Sequence, residues 1–296
     1  MSPPVLKQIA GNTYIIEAPV VMGVYVHDGR ATLIDSGNDK EAGRQVFKIM
    51  NERGWFLEII INTHSNADHI GGNQFLQKRT NCRIAATQLE AAFIQNPVLE
   101  PTFLYGGYPF NDLQNKFLMA KPSTVSDIIP SSGVVLDTEL EAFPLPGHFL
   151  DMIGIKTPDD VVFIADSLFP ENIINKYHVF FLYDIRAQYE TLQTVSSLNA
   201  SWYVPSHGKV MRDITALVQI NRKKIDEIME TVLLSCHSHS FDEILAKLCE
   251  TYTIDLNAEQ SVLVGSTLRS YLSYLKDEGM VECVYDHGRV LWKATT

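Results

Sequence analysis

Side chains that bind metal ions follow short apolar segments at four separate places in this 296-residue chain. An apolar run of about four to eight residues bounded by polar ones is typical of a buried strand. Loops that follow such strands gather their side chains at one edge of a sheet, where α/β proteins place their sites. We therefore expect six residues to converge on one crevice: His64, Asp68, His69, His148, Asp166 and His207.

The chemistry of this set predicts a divalent metal. Four imidazoles and two carboxylates provide a mixture of nitrogen and oxygen donors, which suits Zn²⁺ best, with Fe or Mn²⁺ as alternatives. Ca²⁺ and Mg²⁺ would require mostly oxygen donors. A single histidine at a strand end is usually structural, but six metal-competent residues, each at a strand end, argue against coincidence.

Residues 1–212 have the pattern of an α/β domain. Two β-branched runs, Thr13–Ala18 and Val21–His27, precede an Asp28-Gly29 turn signal and a further apolar strand. Residues 40–53 have apolar positions at helical spacing, and short strands and helices then alternate. The sequence therefore predicts sheets whose faces are covered by helices.

Residues 96–127 interrupt this alternation with an aromatic insertion. A Gly-Gly pair lies among aromatic side chains, and a Phe-Leu-Met run follows; the aromatic residues around the glycines are Phe103, Tyr105, Tyr108 and Phe110. Such a segment can form the lid or wall of a substrate site. It can also pack the core or a dimer interface, and the sequence leaves both alternatives open.

Residues 213–296 change to a mainly helical pattern and form a predicted second domain. Helical spacing begins near Ile214, a capping box opens another helix at Ser240, and Asn257 caps a third. A final alternating segment predicts a hairpin, so this part of the chain resembles a winged-helix module. Cys236–His239 is interpreted as a loop between helices, because no matching Cys/His pair lies at zinc-finger spacing.

Charge and composition restrict the partners. The net charge of −11 disfavours broad binding of polyanions. Gln260–Ser273, the candidate recognition helix, has one basic residue, Arg269, so packing or a homodimer is favoured over nucleic-acid binding for the second domain. No apolar run approaches the ~20 residues of a membrane helix, and no signal peptide is visible. With four scattered cysteines, these features predict a cytoplasmic protein without membrane contact.

Five motifs, in order, resemble those of the metallo-β-lactamase-fold hydrolase superfamily: Leu33–Gly37, Thr63–His69 with Gly71-Gly72, Pro146–His148, Ala165-Asp166 and Pro205–Gly208. The resemblance covers residues 5–212 and implies an αββα sandwich with two metal sites at one edge. It implies a first site with His64 and His148, a second with Asp68, His69 and His207, and a bridging Asp166. It also implies that Asp35 hydrogen-bonds the ligand loop rather than the metal.

This chain departs from the H-x-H-x-D-H signature at its second histidine, which is Asn66. An amide oxygen is a much poorer ligand for zinc or iron than an imidazole nitrogen, so Asn66 is a weak ligand or a ligand substitute. We therefore expect one tight metal site, formed by Asp68, His69, Asp166 and His207, and a weaker one at His64 and His148. After His148, many relatives have a small residue, Pro and Gly, whereas this chain has Phe149-Leu150-Asp151. Asp151 is interpreted as a solvated turn carboxylate, with orientation of a ligand histidine or contact with substrate as the alternatives.

The predicted function is a metal-dependent hydrolase that uses a metal-bound hydroxide on a small ester-, thioester- or lactone-like substrate. Asp68 is the candidate catalytic residue, because it can relay a proton to the leaving group as well as bind metal. A phosphodiesterase or ribonuclease aided by the second domain is one alternative. A binding or regulatory protein with a weakened site is another. A third alternative, an oxygen-handling di-iron protein, is disfavoured because Asn66 stands where a carboxylate would be expected.

Overall fold

The computed structural model of the protein describes residues 5–295, in which two β-sheets pack face to face. The first sheet has seven strands in chain order: β1 (Val5–Ala10), β2 (Thr13–Glu17), β3 (Met22–His27), β4 (Arg30–Ile34), β5 (Phe56–Ile61), β6 (Arg83–Ala86) and β7 (Asp127–Ile128). The strands β1–β4 pair antiparallel, and β4–β7 pair parallel.

The second sheet has the order β12-β11-β10-β9-β8. Its strands are β8 (Gly133–Val134), β9 (Glu141–Pro144), β10 (Ile153–Lys156), β11 (Val161–Ala165) and β12 (Trp202–Pro205). All neighbours are antiparallel except β11 and β12, which are parallel. The carboxyl ends of β11 and β12 therefore meet on one side of this sheet.

Helices connect and cover the two sheets. In chain order they are α1 (Lys40–Arg53), α2 (Ala67–Ile70), α3 (Asn73–Thr80), α4 (Gln88–Gln95), α5 (Leu99–Tyr105), a 3₁₀ turn (Asn111–Leu113), α6 (Glu171–Tyr177), α7 (Ile185–Ser197) and α8 (Thr215–Leu234). The C-terminal part adds β13 (His237–Ser240), α9 (Phe241–Tyr252), α10 (Ala258–Asp277), β14 (Val281–Asp286) and β15 (Arg289–Ala294).

Apolar packing divides the molecule into the layers that the resemblance implied. Ile61 of the first sheet and Phe163 of the second belong to the cluster between the sheets. Val46 of α1 and Leu76 of α3 cover the outer face of the first sheet. Leu192 of α7 belongs to a third cluster with the outward residues of β11 and with α8. The αββα sandwich is therefore confirmed.

The C-terminal helices pack into the same cluster as α7 and α8. Tyr271 and Leu272 of α10 are fully buried there, so the core continues from the sandwich into this part of the chain. The capping box at Ser240 forms as predicted, with Glu243 as its partner. The winged-helix assignment and the boundary after residue 212 stay predictions.

Two local predictions are wrong. The helix expected from His69 is divided into α2, which ends at Ile70, and α3, which begins at Asn73. Between them, a Cβ at Gly71 would lie 2.3 Å from the carbonyl carbon of Asn38. The backbone of the loop at Asn38 approaches so closely that only glycine fits there. Cys236–His239 is also not a loop: His237–Ser240 forms β13, which pairs with β15. The apolar alternation that usually reveals a strand is absent from the sequence His-Ser-His-Ser.

Within residues 5–295, no helix combines the length and the apolar character that a membrane span needs. The cytoplasmic location and the homodimer stay predictions.

Candidate metal centre

The six predicted ligand residues lie together beyond the ends of β5, β9, β11 and β12. They form two groups, and within each group the potential ligand atoms lie within 4.8 Å of one another: His64, His148 and Asp166, and Asp68, His69 and His207. We call these the first and the second ligand group. Residues separated by more than 140 positions therefore meet at one place, as the sequence predicted.

Asp166 lies between the two groups. Its Oδ1 is 3.4 Å from His69 Nε2, and its Oδ2 is 3.3 Å from His207 Nε2 and 3.7 Å from His148 Nε2. The preceding residue, Ala165, has a φ of +48°, a left-handed conformation that costs an alanine about 1–3 kcal/mol. This strained turn at the end of β11 directs the carboxylate to a position that both groups can share.

Hydrogen bonds on the outer side fix the imidazole rings. His69 Nδ1 donates to Asp35 Oδ2 at 2.9 Å, and His148 Nδ1 donates to the carbonyl oxygen of Phe181 at 2.9 Å. His64 Nδ1 lies 3.0 Å from Thr63 Oγ1, whose hydroxyl donates to Asp35 Oδ2. A proton held on Nδ1 leaves the Nε2 lone pair free for a metal. Three Nε2 atoms therefore face the centre, where each can bind a metal once any proton on it is displaced.

Asp35 anchors the loop that carries the ligands. Its side chain is buried, its φ is +59°, and its Oδ1 accepts the Thr63 backbone N–H at 2.8 Å. With the bonds to Thr63 Oγ1 and His69 Nδ1, one carboxylate accepts three donors. Asp35 thus bonds the ligand loop, as the resemblance implied.

The two groups differ in their charge. Burial lowers the pKa of His64 well below its ordinary value and also lowers that of His148. Burial opposes the proton on His69 and His207 as well, but the nearby carboxylates, chiefly Asp166 and Asp68, together outweigh it. The pKa of His207 rises to about 10 and that of His69 well above its ordinary value. Without metal, the second group therefore binds protons that the first does not.

Unpaired buried atoms show that the residues fit a metal. His64 Nε2, His69 Nε2 and Asp166 Oδ1 are buried and make no hydrogen bond within residues 5–295. Buried polar atoms of this kind are costly unless something satisfies them. Divalent cations that accept nitrogen and oxygen ligands, such as Zn²⁺, Fe²⁺ or Mn²⁺, match the three donors.

Asn66 presents its amide oxygen to the first group. Its Nδ2 donates to Glu100 Oε1 at 2.8 Å, and its Oδ1 lies 3.0 Å from His148 Nε2. Because His148 Nδ1 donates to a carbonyl, the two atoms that face each other are both acceptors. A cation between two such acceptors would be bound by both, so the geometry suits Asn66 as an oxygen ligand.

Sequence reasoning missed two buried glutamates that support this loop. Glu100 of α5 holds Asn66, as described above. Glu90 of α4 accepts from the Ser65 N–H, the Ser65 hydroxyl and the Asp151 N–H, and burial raises its pKa to about 7. Neither glutamate lies in a motif, so only the fold reveals that α4 and α5 position the ligand loop.

The centre opens into a cavity of about 330 Å³. Phe117 and Leu118 of the aromatic insertion contribute one wall, and Leu263 of α10 contributes another. The remaining apolar lining comes from Phe169, Ile173, Tyr177, Val179, Phe180 and Phe181. The insertion therefore does form a wall of the site, although Tyr108 at its tip is 81% exposed.

The sequence profile of the metallo-beta-lactamase superfamily matches residues 11–207, so the chain belongs to this superfamily. Two solved structures are similar over nearly the whole chain. A β-lactamase domain protein from Burkholderia ambifaria has a TM-score of 0.74 at 17% identity, with 98% of this chain and 93% of that chain covered. A metallo-β-lactamase family protein from Thermus thermophilus has a TM-score of 0.72 at 16% identity, with 99% and 97% covered. At these identities the likeness shows the fold.

Curated relatives match a shorter part of the chain. The hydroxyacylglutathione hydrolase of Nitrobacter hamburgensis is 32% identical over 148 residues, which are 50% of this chain and 48% of that protein. The enzyme of the same name from Rhodopseudomonas palustris is 31% identical over 151 residues, with the same coverage. The chain thus aligns with about half the length of the curated relatives that it matches.

Proposed function

We propose that the protein is a metal-dependent hydrolase that cleaves a small thioester. The observation that carries this proposal is the pair of ligand groups around Asp166, with unpaired buried atoms, at the base of an apolar cavity. The relatives named hydroxyacylglutathione hydrolase support a thioester over the ester and lactone alternatives. Membership of the superfamily supports hydrolysis as the reaction.

The chain's own residues divide the work between holding the metal and holding the substrate. His64 and His148 would hold one ion and Asp68, His69 and His207 the other, with Asp166 between them. A bound divalent cation lowers the pKa of water and polarises the acyl carbonyl. The Nδ1 hydrogen bonds to Asp35 and to the Phe181 carbonyl keep the rings in place throughout.

Asp68 has the geometry of a proton carrier. Its side chain is 41% exposed and lines the cavity, and its Oδ2 lies 3.4 Å from His207 Nε2. Burial opposes its charge, but His69 and His207 hold its pKa below the ordinary value, so the carboxylate is ionised at neutral pH. Being ionised, it is free to accept a proton from water that a bound cation would make more acidic, and to deliver this proton to the leaving sulfur. Water adds to the acyl carbon, the C–S bond breaks, and a carboxylic acid and a thiol leave.

The apolar walls would hold the acyl group and exclude water from it. Phe117, Phe181 and Leu263 approach the cavity from three different segments. A volume of about 330 Å³ is at the lower end of ordinary small-molecule sites. This size suits a short acyl chain, with the thiol carrier directed out of the cavity.

A substrate panel tests the proposal. Purified protein loaded with Zn²⁺, Mn²⁺ or Fe²⁺ would be assayed on matched thioesters, oxyesters, lactones and phosphodiesters. We expect the thioesters to give the highest kcat/KM, with activity lost on chelation and restored by metal. Asp68→Asn should weaken metal binding at the second group and, at saturating metal, still reduce kcat. Lys223→Ala, on the exposed side of α8, should change neither.

Cleavage of phosphodiesters in preference to every thioester would replace the proposal by the nuclease alternative. No hydrolysis of any substrate with any of the metals would support a binding or regulatory protein.

A further inference from the structure

A second cavity, of about 600 Å³, lies beside the metal centre and is strongly basic. We call it the basic cavity. Six cationic side chains and a single carboxylate, Asp39, line it. The cationic residues come from α1, α3 and the aromatic insertion: Lys40, Arg44, Lys78, Arg79, Lys116 and Lys121.

Most of these cations have no acidic partner. Arg44 pairs with Glu41 at 3.0 Å and Lys116 with Asp39 at 3.6 Å. In the described part of the chain, no carboxylate lies within 4 Å of the other four. Like charges confined to one cavity repel each other, and this chain has an overall net charge of −11. A ligand with several negative charges would relieve that repulsion.

The other lining residues suit a phosphorylated ligand. Asn38, Gln74, Gln114 and Asn115 contribute amide groups to the walls. The guanidinium groups of Arg44 and Arg79 lie 6.0 and 5.6 Å from the centroid of the Phe75 ring. Arginine and lysine side chains are the usual partners of phosphate oxygens, and an aromatic ring with flanking cations provides a face for a nucleobase.

The basic cavity adjoins the cavity of the metal centre. Asn38 and Lys116 line both. Asn115, which lines the basic cavity, donates through its Nδ2 to Glu259 Oε1 at 2.8 Å, and Glu259 lines the metal cavity. One molecule can therefore place an apolar end in the metal cavity and an anionic end in the basic cavity.

We infer that the basic cavity binds the phosphate-bearing thiol carrier of the substrate, which is an acyl thioester of a nucleotide-containing thiol. The inference rests on the proposed thioester hydrolysis and adds the class of carrier. A carrier whose only charges are a few carboxylates would leave most of the six cations without partners. A long polyanion would extend from the cavity over the rest of a net negative protein, which disfavours nucleic acid.

Two substrates with the same acyl group test the inference. Butyryl-coenzyme A has three phosphates, whereas S-butyryl-N-acetylcysteamine has the same thioester and none. The quantity measured is the ratio of their kcat/KM values, in which general effects on the metal centre cancel. We expect the coenzyme A ester to be favoured, and the double variant Lys78→Ala/Arg79→Ala to lower the ratio at least about tenfold, as lost charged hydrogen bonds would. The matched control, Lys223→Ala, should keep it.

A binding measurement separates this inference from the proposed function. Adenosine 3′,5′-bisphosphate should bind the metal-free protein in a calorimetric titration, and the double variant should weaken this binding at least about tenfold.

An unchanged ratio and unchanged bisphosphate binding in the double variant would overturn the inference. Hydrolysis of both thioesters would at the same time leave the proposed function standing. Failure to hydrolyse either thioester, with bisphosphate binding intact, would instead overturn the proposed function and keep a phosphate site. Binding of single-stranded RNA without binding of the bisphosphate would overturn the carrier and support nucleic acid.

Discussion

The two ligand groups share Asp166 but differ in how completely they are built. The second group, Asp68, His69 and His207, has every residue that the superfamily motif implies. The first group has His64 and His148, but Asn66 stands where the motif has an imidazole. An amide oxygen binds Zn²⁺ or Fe²⁺ less strongly than imidazole does, so the two groups should differ in metal affinity.

The hydrogen-bond acceptors of the ligand imidazoles also favour tighter metal binding at the second group. His69 donates to the buried carboxylate of Asp35, whereas His148 donates to the neutral carbonyl of Phe181. A carboxylate behind an imidazole raises its basicity as a ligand. We therefore expect this centre to bind two metals unequally, because one ligand is replaced at Asn66 and the ligand imidazoles have different hydrogen-bond acceptors.

Replacing Asp166 by Ala should have the largest effect, because both groups lose their shared carboxylate. Loss of a supporting partner costs about 10–100-fold in metal affinity, and loss of this ligand should exceed that for both ions. Metal content after gel filtration and thioester hydrolysis would both be measured. Asp151→Ala is the control, because the hydrogen bonds that Asp151 makes within residues 5–295 involve its backbone and not its side chain. Two ions retained by the Asp166 variant would contradict the account.

The pH dependence of metal binding should separate the two groups. His207 has a pKa of about 10 without metal, so below that pH a cation must displace its proton. Affinity at the second group should therefore rise with pH, about tenfold per unit for each displaced proton, and level off for His207 above about pH 10. His64 and His148, whose pKa values are lowered, are already neutral at pH 7.

Calorimetry in buffers of different ionisation enthalpy would count the released protons. Proton release on filling the second group, and little on filling the first, is the expected result. Equal proton release from both groups would contradict the predicted electrostatic difference between them.

Asp35→Asn should weaken the second group more than the first. The carboxylate accepts three donors, two of them from Thr63 and one from His69, and an amide would present a donor to at least one. We expect the affinity of the second group to fall about 10–100-fold, as for other supporting partners. Competition with a chromophoric chelator would measure it. A loss confined to the first group would show that Asp35 acts mainly through Thr63 and His64.

Asn66→His would restore the motif, and of these variants it should change the total amount of bound metal least, because it acts only on the first group. An imidazole at this position should tighten metal binding at the first group at least about tenfold. Asn66→Ala is the matched variant, because it removes the amide oxygen that lies 3.0 Å from His148 Nε2. Metal titrations should rank the first-group affinities as His above Asn above Ala. Equal affinities for all three would mean that position 66 does not contact the metal.

Much of the centre could be predicted from the sequence, because the six ligand residues follow apolar strands whose ends meet. Apolar strands and helical spacing such as that of residues 40–53 predicted sheets covered by helices, and the resemblance to the superfamily implied the αββα arrangement. Strand β13 was not predictable in this way, since His237–Ser240 has no apolar alternation and depends on pairing with β15.

The glutamates behind the ligand loop and the residues of the basic cavity could not be predicted from the sequence, for a different reason. Glu90 and Glu100 contact a loop 25 and 34 positions away, and each has the sequence pattern of an ordinary helical glutamate. Lys78 and Arg79 likewise have the pattern of a solvated helix face. They line one cavity only because α3 packs beside both α1 and the aromatic insertion.

Graded chelation of the metal-loaded protein tests the central claim most directly. Metal content would be measured at increasing chelator concentration, with activity followed in parallel. The account predicts two steps: one ion leaves readily from His64 and His148, and the other is retained by Asp68, His69, Asp166 and His207 until the chelator is much more concentrated. Two ions that leave together in a single step, or a protein that binds none, would contradict it.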